Sequence, residues 1–441
     1  MLDDMATSTE RSTALLTDHY ELTMLQAALH DGRARRRSVF EMFSRRLSGG
    51  RRYGVVAGVG RLLDAIEDFR FAEDELAFLR EARVIDEDAA AWLAEYRFSG
   101  NVWGYREGEL YFPGSPVLVV EGGFGECVVL ETLALSVLNH DSAIATAAAR
   151  MTGAAGTRPC IEMGSRRTHE QSAVAAARAA YVAGFAATSN LEAGRRYRIP
   201  TTGTAAHAFT LVHDSEEEAF KAQVKALGTG TTLLVDTYDI EQGVRNAIAA
   251  AGTDLGAVRL DSGDLGQVAA EVRTQLDALG AASTRITVTS DLDEHAIAAL
   301  AVAPIDGYGV GTSLVTGSGV PTSGFVYKLV AREDDARAMI PVAKKSKDKT
   351  SVGGRKHAVR RRDRRGVATA EVLGLGGPPS AGDDDRTLLV PLIADGRRVN
   401  DDSLDAARRH FRSALSELPA SARRLSKGDP ALPTVYEEHR P

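Results

Sequence analysis

The feature that most constrains this chain is a repeated unit: a short apolar run that breaks off into polar, reactive side chains, usually followed by an Ala-rich segment of helical spacing. The runs are I-E-M-G-S-R-R (161–167), T-G-T-A-A-H (202–207), L-L-V-D-T-Y-D (233–239), V-R-L-D-S-G-D (258–264), I-T-V-T-S-D (286–291) and Y-G-V-G-T-S (308–313). Such runs, bounded by turn residues and joined by helices, read as buried parallel strands. Parallel strands end at one edge of their sheet, so the reactive residues collect there. The spacing predicts an α/β fold with an irregular β/α barrel; an open doubly wound sheet is the alternative topology.

At 441 residues the chain exceeds what one compact core normally holds, which implies two domains. An N-terminal α/β domain is expected at residues 1–121 and the barrel at 122–335. A C-terminal segment, 336–441, is expected to pack with the N-terminal domain. Helices are read at 61–69, 72–82 and 86–98, then at 128–152, 169–183, 215–226, 240–250, 265–279 and 294–301, and finally at 403–415. Asp18 with Glu21 and Asp214 with Glu217 have the spacing of capping boxes. Short strands are expected around 104–121, 368–373 and 387–391, and residues 1–12 read as a frayed tail.

A formal net charge of -7 gives no positive field to attract nucleic acid. Two basic runs, K-K-S-K-D-K (344–349) and R-K-H-A-V-R-R-R-D-R-R (355–365), have no interleaved aromatic residues. They read as a solvated face, or as help in attracting phosphorylated substrates. Cys127 and Cys160 stand beside apolar residues and read as buried, reduced thiols. No apolar run reads as a bilayer span and the polar start lacks a signal core, so a cytoplasmic chain without membrane or nucleic-acid partners is expected.

The reactive run ends point to an anionic, phosphorylated substrate. His207 has four readings: a structural histidine, a general base, a metal ligand, or a nucleophile toward phosphate. Asp236 and Asp261 hold equivalent run-end positions, where a carboxylate can orient an imidazole. Arg259 can pair with a substrate carboxylate or phosphate, or form an internal ion pair with Asp261. Ser262 and Asp264 extend that polar set. Gly309, Gly311, Thr312 and Ser313 form a glycine-rich exit whose backbone N–H groups suit a phosphate, although a plain tight turn has the same composition. Arg166 and Arg167 suit a diphosphate. No zinc-type histidine spacing occurs.

Together these motifs resemble the nicotinate phosphoribosyltransferase family. The resemblance rests on T-D-H-Y-E-L-T-M (17–24), F-E-M-F-S-R-R-L (40–47), N-H-D-S-A (139–143), E-M-G-S-R-R, T-S-N (188–190), G-T-A-A-H, V-D-T-Y-D, R-L-D-S-G-D and G-V-G-T-S-L, in order up to about residue 328. It implies formation of nicotinate mononucleotide and diphosphate from nicotinate and phosphoribosyl diphosphate, driven by ATP hydrolysis. Magnesium would arrive bound to the substrates, with no metal ligands assigned in the chain.

The resemblance also implies roles. His207 would be the histidine that ATP phosphorylates, and Asp236 would orient it. Arg259 would lie near the nicotinate carboxylate and the reacting centre, with Asp261 on the ribose hydroxyls. Tyr20 would stack on the pyridine ring from the neighbouring subunit of a homodimer. Arg166 would contact diphosphate; Gly311 and Thr312, with the Ser290–Asp291 turn, would hold the 5′-phosphate. Thr204 and Ser262 would complete the substrate contacts. Met163 stands where the family often has an aromatic wall. Ser189 stands where amide-using relatives have an aspartate, and its hydroxyl can donate to a carboxylate, which favours the acid over the amide. The alternatives are a relative that uses nicotinamide or quinolinate, and a non-catalytic barrel that binds phosphorylated ligands.

Overall fold

The structure is a computed structural model that describes residues 12–344, 351–380 and 382–438. The chain forms two compact units, one made of Met1–Ser142 with Thr322–Pro441 and the other of Ala143–Pro321. These limits differ from the sequence boundaries at 121/122 and 335/336. The helix Glu131–Ala155 runs across the first break, so the break falls inside a helix and leaves no mark in composition. The second differs because the strand Phe325–Glu333 pairs with Arg37–Ser44 in the first unit.

The unit 143–321 carries six parallel strands: β1 (Cys160–Glu162), β2 (Ala187–Thr188), β3 (Thr232–Leu234), β4 (Ala257–Leu260), β5 (Arg285–Ser290) and β6 (Gly307–Val310). Their order is β2-β1-β6-β5-β4-β3. The last strand therefore pairs with the first, Tyr308 opposite Cys160 and Val310 opposite Glu162. That cyclic order is a curled barrel sheet and excludes the doubly wound alternative. The 202–207 run enters no strand; a single bridge, Thr188 to Thr201, stands at its start. Leu233, Val258, Leu260, Ile286, Val288 and Val310 are all buried, as strands covered on both faces require.

Helices follow at Glu170–Val182, Glu216–Leu227, Ile240–Ala251, Leu265–Ala278 and Glu294–Ala299, close to the sequence reading. Two of the polar run ends prove to be helix caps: Asp239 accepts from the Gln242 N–H and Asp264 from the Gln267 N–H. Both predicted capping boxes fail. Ser215, not Asp214, caps the Glu216 helix by accepting from the Glu218 N–H. Helix α1 (His19–His30) has no side-chain cap from Asp18, because Glu21 is buried and accepts instead from the Thr17 and Thr132 hydroxyls and the Thr132 N–H.

The other unit is built from both ends of the chain. Its seven-stranded antiparallel sheet runs Met339–Pro341, Phe325–Glu333, Arg37–Ser44, Leu118–Gly123, Asn101–Tyr105, Leu389–Ala394, Arg397–Arg398. A four-stranded sheet is formed by Arg386–Thr387, Lys356–Arg362, Ala368–Leu375 and Thr434–Glu438. By length and hydropathy the helical stretch Phe124–Ala155 reaches across a bilayer, contrary to the sequence reading. It is 67% buried within the fold over that apolar window, which makes it a core helix. Cys127 and Cys160 are buried free thiols.

The second basic run is a solvated face only at its end, where Arg364 and Arg365 are exposed. Residues 356–362 form a strand in which Lys356 is buried against Glu41 at 2.6 Å and Arg360 is wholly buried against Glu371 at 2.9 Å. Of the first run, residues 345–349 lie outside the described residues, as do 1–11 of the N-terminal tail. Glu109, also buried, meets His410 at 2.8 Å and Arg386 at 2.5 Å. Burial opposes its charge, but His410, Arg360 and Arg386 hold its carboxyl far below the ordinary value of 4.5. A depressed carboxyl stabilises the fold above its unfolded pKa and loses that contribution as pH falls toward its folded one. Unfolding in urea across pH should therefore show stability dropping from about pH 4.5 downward. Glu109→Gln should cost about 3–5 kcal/mol at pH 7, because the cations facing it lose their partner. Its deficit should shrink in acid; a deficit independent of pH would disprove the assignment.

Candidate active site

Strand alternation sets the site. On β4, Val258 and Leu260 are buried, while Arg259 points the other way, toward the same side as Asp261 and the Thr289 of β5. The Arg259 guanidinium uses its whole fork. Nε donates to Thr289 Oγ1 at 2.9 Å, Nη1 to Thr204 Oγ1 at 2.9 Å and the Ala205 carbonyl at 3.3 Å, and Nη2 to Asp261 Oδ1 at 3.0 Å. The internal Arg259–Asp261 pair is thus present. Thr289 also donates to Asp261. Burial raises the Asp261 carboxyl, but the Thr289 hydroxyl, the Arg259 charge and His207 bring it below its ordinary value. Asp261 is an anion at neutral pH.

Asp236, at the exit of β3, is the buried anchor. Its Oδ2 accepts from the Asp261 N–H at 2.8 Å and the Ser262 hydroxyl at 2.7 Å. Its Oδ1 is buried without a hydrogen-bond partner and faces His207 Nε2 at 3.9 Å. That distance exceeds a hydrogen bond, so Asp236 acts on the ring as a charge. His207 opens the short helix His207–Leu211, remains accessible to solvent, and meets Thr237 Oγ1 with Nδ1 at 3.1 Å. Ser262, read as a substrate contact, here holds Asp236 in place.

Glu162 and Thr289 were not singled out from the sequence. Glu162 ends β1 fully buried, where it accepts from the Gly164 N–H at 2.5 Å and from the Thr188 hydroxyl. Burial pushes its carboxyl up, with Thr188 and Gly164 partly opposing. An acidic residue inside the apolar start of that run was the available signal. Glu162 ties the β1 exit to the β2 exit, and Asn190 Nδ2 adds a bond to Ser165 Oγ at 2.9 Å. These bonds bring together the segments that carry Met163, Arg166 and Ser189. Met163 crosses Gly309, where a Cβ would stand 2.7 Å from its sulfur and 2.5 Å from the Thr289 methyl, so no side chain fits there.

Arg166 and Arg167 lie exposed on a turn of 3₁₀ helix. Ser290 and Asp291 are exposed at the end of β5, and the Ser290 φ of 150° is a strained one for a non-glycine residue. Gly311 precedes the one-turn helix Thr312–Val315 at the end of β6. All six parallel exits therefore present their predicted residues at one edge. Tyr20 belongs to the other unit, on α1, with 43% of its surface exposed. Burial, then Glu131 and Glu21, push its phenol up to about 12, so the ring is neutral. Among the described residues no group of three His, Cys, Asp or Glu side chains is placed to hold a metal ion.

A curled parallel barrel whose strand exits carry an Arg–Asp pair and a buried carboxylate facing a histidine agrees with the barrel-bearing phosphoribosyltransferase class that the sequence resembles. The profile of the nicotinate phosphoribosyltransferase (NAPRTase) N-terminal domain matches residues 15–139. The chain is 59% identical over 429 residues to nicotinate phosphoribosyltransferase pncB1 of Mycobacterium tuberculosis, covering 95% of this chain and 94% of the relative. It is 38% identical over 359 residues to the nicotinate phosphoribosyltransferase of Bacillus subtilis, covering 79% of this chain and 73% of that one. Among solved structures, human nicotinic acid phosphoribosyltransferase superposes with a TM-score of 0.81 at 27% identity, covering 96% of this chain and 97% of that one. The chain belongs to the nicotinate phosphoribosyltransferase family, and it is an enzyme.

Thr188→Val removes the donor to the buried Glu162 carboxylate and the acceptor of the Asn190 N–H. It should lower unfolding stability by about 2 kcal/mol, within the usual cost of a hydrogen bond to a charged group. Urea unfolding checks this; a change below about 0.5 kcal/mol would show that Glu162 is held by other means.

Proposed function

We propose that this chain transfers phosphoribosyl from phosphoribosyl diphosphate to nicotinate, giving nicotinate mononucleotide and diphosphate for NAD biosynthesis, with ATP hydrolysis coupled through His207. The observation that carries the reading is the pairing at the strand exits: Arg259 locked to Asp261, and the unpartnered Asp236 Oδ1 facing His207. Diphosphate departure leaves positive charge on the ribose, and the pyridine nitrogen attacks the anomeric carbon. Asp261 binds ribose hydroxyls and offers negative charge beside that centre. Arg259, held rigid by four acceptors, meets the nicotinate carboxylate without reorganising. Ser189 supports the preference for the acid, as its hydroxyl donates to a carboxylate.

For the ATP step, His207 Nδ1 attacks the γ-phosphorus after the Thr237 hydroxyl turns aside. A nitrogen–phosphorus bond forms, the bond to the ADP oxygen breaks, and the proton on Nε2 stays facing Asp236, whose charge stabilises the cationic ring. Magnesium carried by ATP and phosphoribosyl diphosphate would supply charge neutralisation at their phosphate oxygens. Arg166 takes diphosphate. Gly311 and Thr312, with Ser290 and Asp291, take the 5′-phosphate, while Met163 packs on the base. The neutral Tyr20 ring supplies the opposite stacking face from a second copy, which requires a homodimer. A cytoplasmic location fits substrates of this kind.

Product formation with nicotinate, nicotinamide or quinolinate, each with and without ATP and magnesium, tests the substrate. Nicotinate alone should be turned over efficiently, and ATP should increase the rate. His207→Ala should abolish the ATP effect while leaving some transfer, whereas Arg259→Ala should lower kcat/KM by about 10²–10³. Equal small losses in both would refute these roles. Mixing Tyr20→Ala with Arg259→Ala subunits should restore about a quarter of wild-type activity, since random pairing gives half mixed dimers with one intact site each. No recovery on mixing would exclude a shared site.

A further inference from the structure

We propose that a cavity beside α1 binds a small amphipathic anion of the aryl carboxylate or sulfonate class. The cavity, open to solvent on one side, has a volume of about 560 Å³, and all its lining residues belong to the unit that carries Tyr20. That volume is the range of small-ligand sites. Its apolar surface comes from Met24 and Ala28 of α1, from Phe124, and from Leu329. Three guanidinium groups, those of Arg33, Arg36 and Arg332, also line it, against one carboxylate, Asp31.

The state of those arginines decides what fits. Arg33 faces Asp31 at 3.3 Å, and Arg36 faces Asp335 at 2.5 Å. Arg332 donates to the Glu333 carbonyl at 3.1 Å and, among the described residues, pairs with no carboxylate. Among the described residues, then, no carboxylate compensates its charge at the edge of this apolar surface. Free phosphate would gain nothing from Met24, Phe124 and Leu329, and a neutral hydrocarbon would leave Arg332 without an anion. A flat apolar body with one negative group satisfies both, because a guanidinium pairs with carboxylate or sulfonate through two parallel bonds.

The cavity is connected to Tyr20 by helix geometry. Met24 and Ala28 stand four and eight residues after Tyr20, so the three share one face of α1. Occupancy should bear on how that helix presents the tyrosine, and so on the KM for nicotinate. This second effect rests on the stacking role proposed for Tyr20; the binding itself does not.

The test uses the full-length protein with 8-anilinonaphthalene-1-sulfonate as the fluorescent probe and naphthalene-2-carboxylate as competitor. Nicotinate and phosphoribosyl diphosphate are kept saturating, so that the catalytic site is filled. One probe per chain should bind, naphthalene-2-carboxylate should displace it, and Arg36→Met with Arg332→Met should weaken it by about tenfold or more. Arg332→Lys should restore part of the affinity, and Ala28→Trp, which fills the cavity, should abolish binding. Affinity unchanged in the double variant, or no site left once the catalytic ligands are present, would overturn the proposal. The KM for nicotinate should shift with naphthalene-2-carboxylate in the wild type and not in the Arg332→Met variant. Binding with an unmoved KM would remove the coupling to Tyr20.

Discussion

The candidate site depends on the Arg259 fork. One planar group collects a hydroxyl from β5, a hydroxyl and a carbonyl from the 202–207 segment, and a carboxylate from its own strand exit. Its charge holds Asp261 anionic, and the backbone of Asp261 in turn donates to Asp236. Through those bonds the segments that carry His207, Asp236 and Asp261 are fixed relative to one another before any substrate enters. Lysine has the charge without the fork, and would leave two or three of these acceptors unmet. Preorganised charge of this kind is what glycosyl transfer through a cationic ribose needs.

The unit that carries Tyr20 is held in a different way. Its sheet sets three strands from the early part of the chain between two pairs from the late part, so sequence-distant segments must meet to complete it. Buried ion pairs mark the meeting points: Glu41 with Lys356, and Glu109 with Arg386 and His410. Each partner alone would be a costly buried charge, which makes these contacts specific as well as adhesive. This explains why Lys356 and Arg360 sit inside the fold: Glu41, from the early part of the chain, meets the first, and Glu371, on the neighbouring strand, meets the second.

Much of this was legible in the residues. Five of the six apolar runs named parallel strands, and the run ends named Arg259, Asp261, Asp236 and His207, because period and composition are local properties. The 202–207 run enters no strand, and β2 was not read. Two of those exits, Asp239 and Asp264, turned out to be caps, a use the sequence does not separate from chemistry. Met163 and Gly309 were both visible, but their need for each other was not, since they lie on strands paired only through the barrel's closure. Glu162 and Thr289 escaped notice for the same reason. A buried carboxylate and a threonine acquire a role only when their partners arrive from other strands.

What the sequence determined by itself was local: the strand and helix alternation, the turn and exit residues, the resemblance to one family. The tertiary structure decided which exits act together, that Ser262 braces Asp236, that residues 356–362 are core, and that the chain divides at 142/143 and 321/322. The physical reason is the range of the interactions involved. Propensity and periodicity act within a few residues, whereas ion pairing, burial and strand closure depend on distances in space that no spacing along the chain specifies.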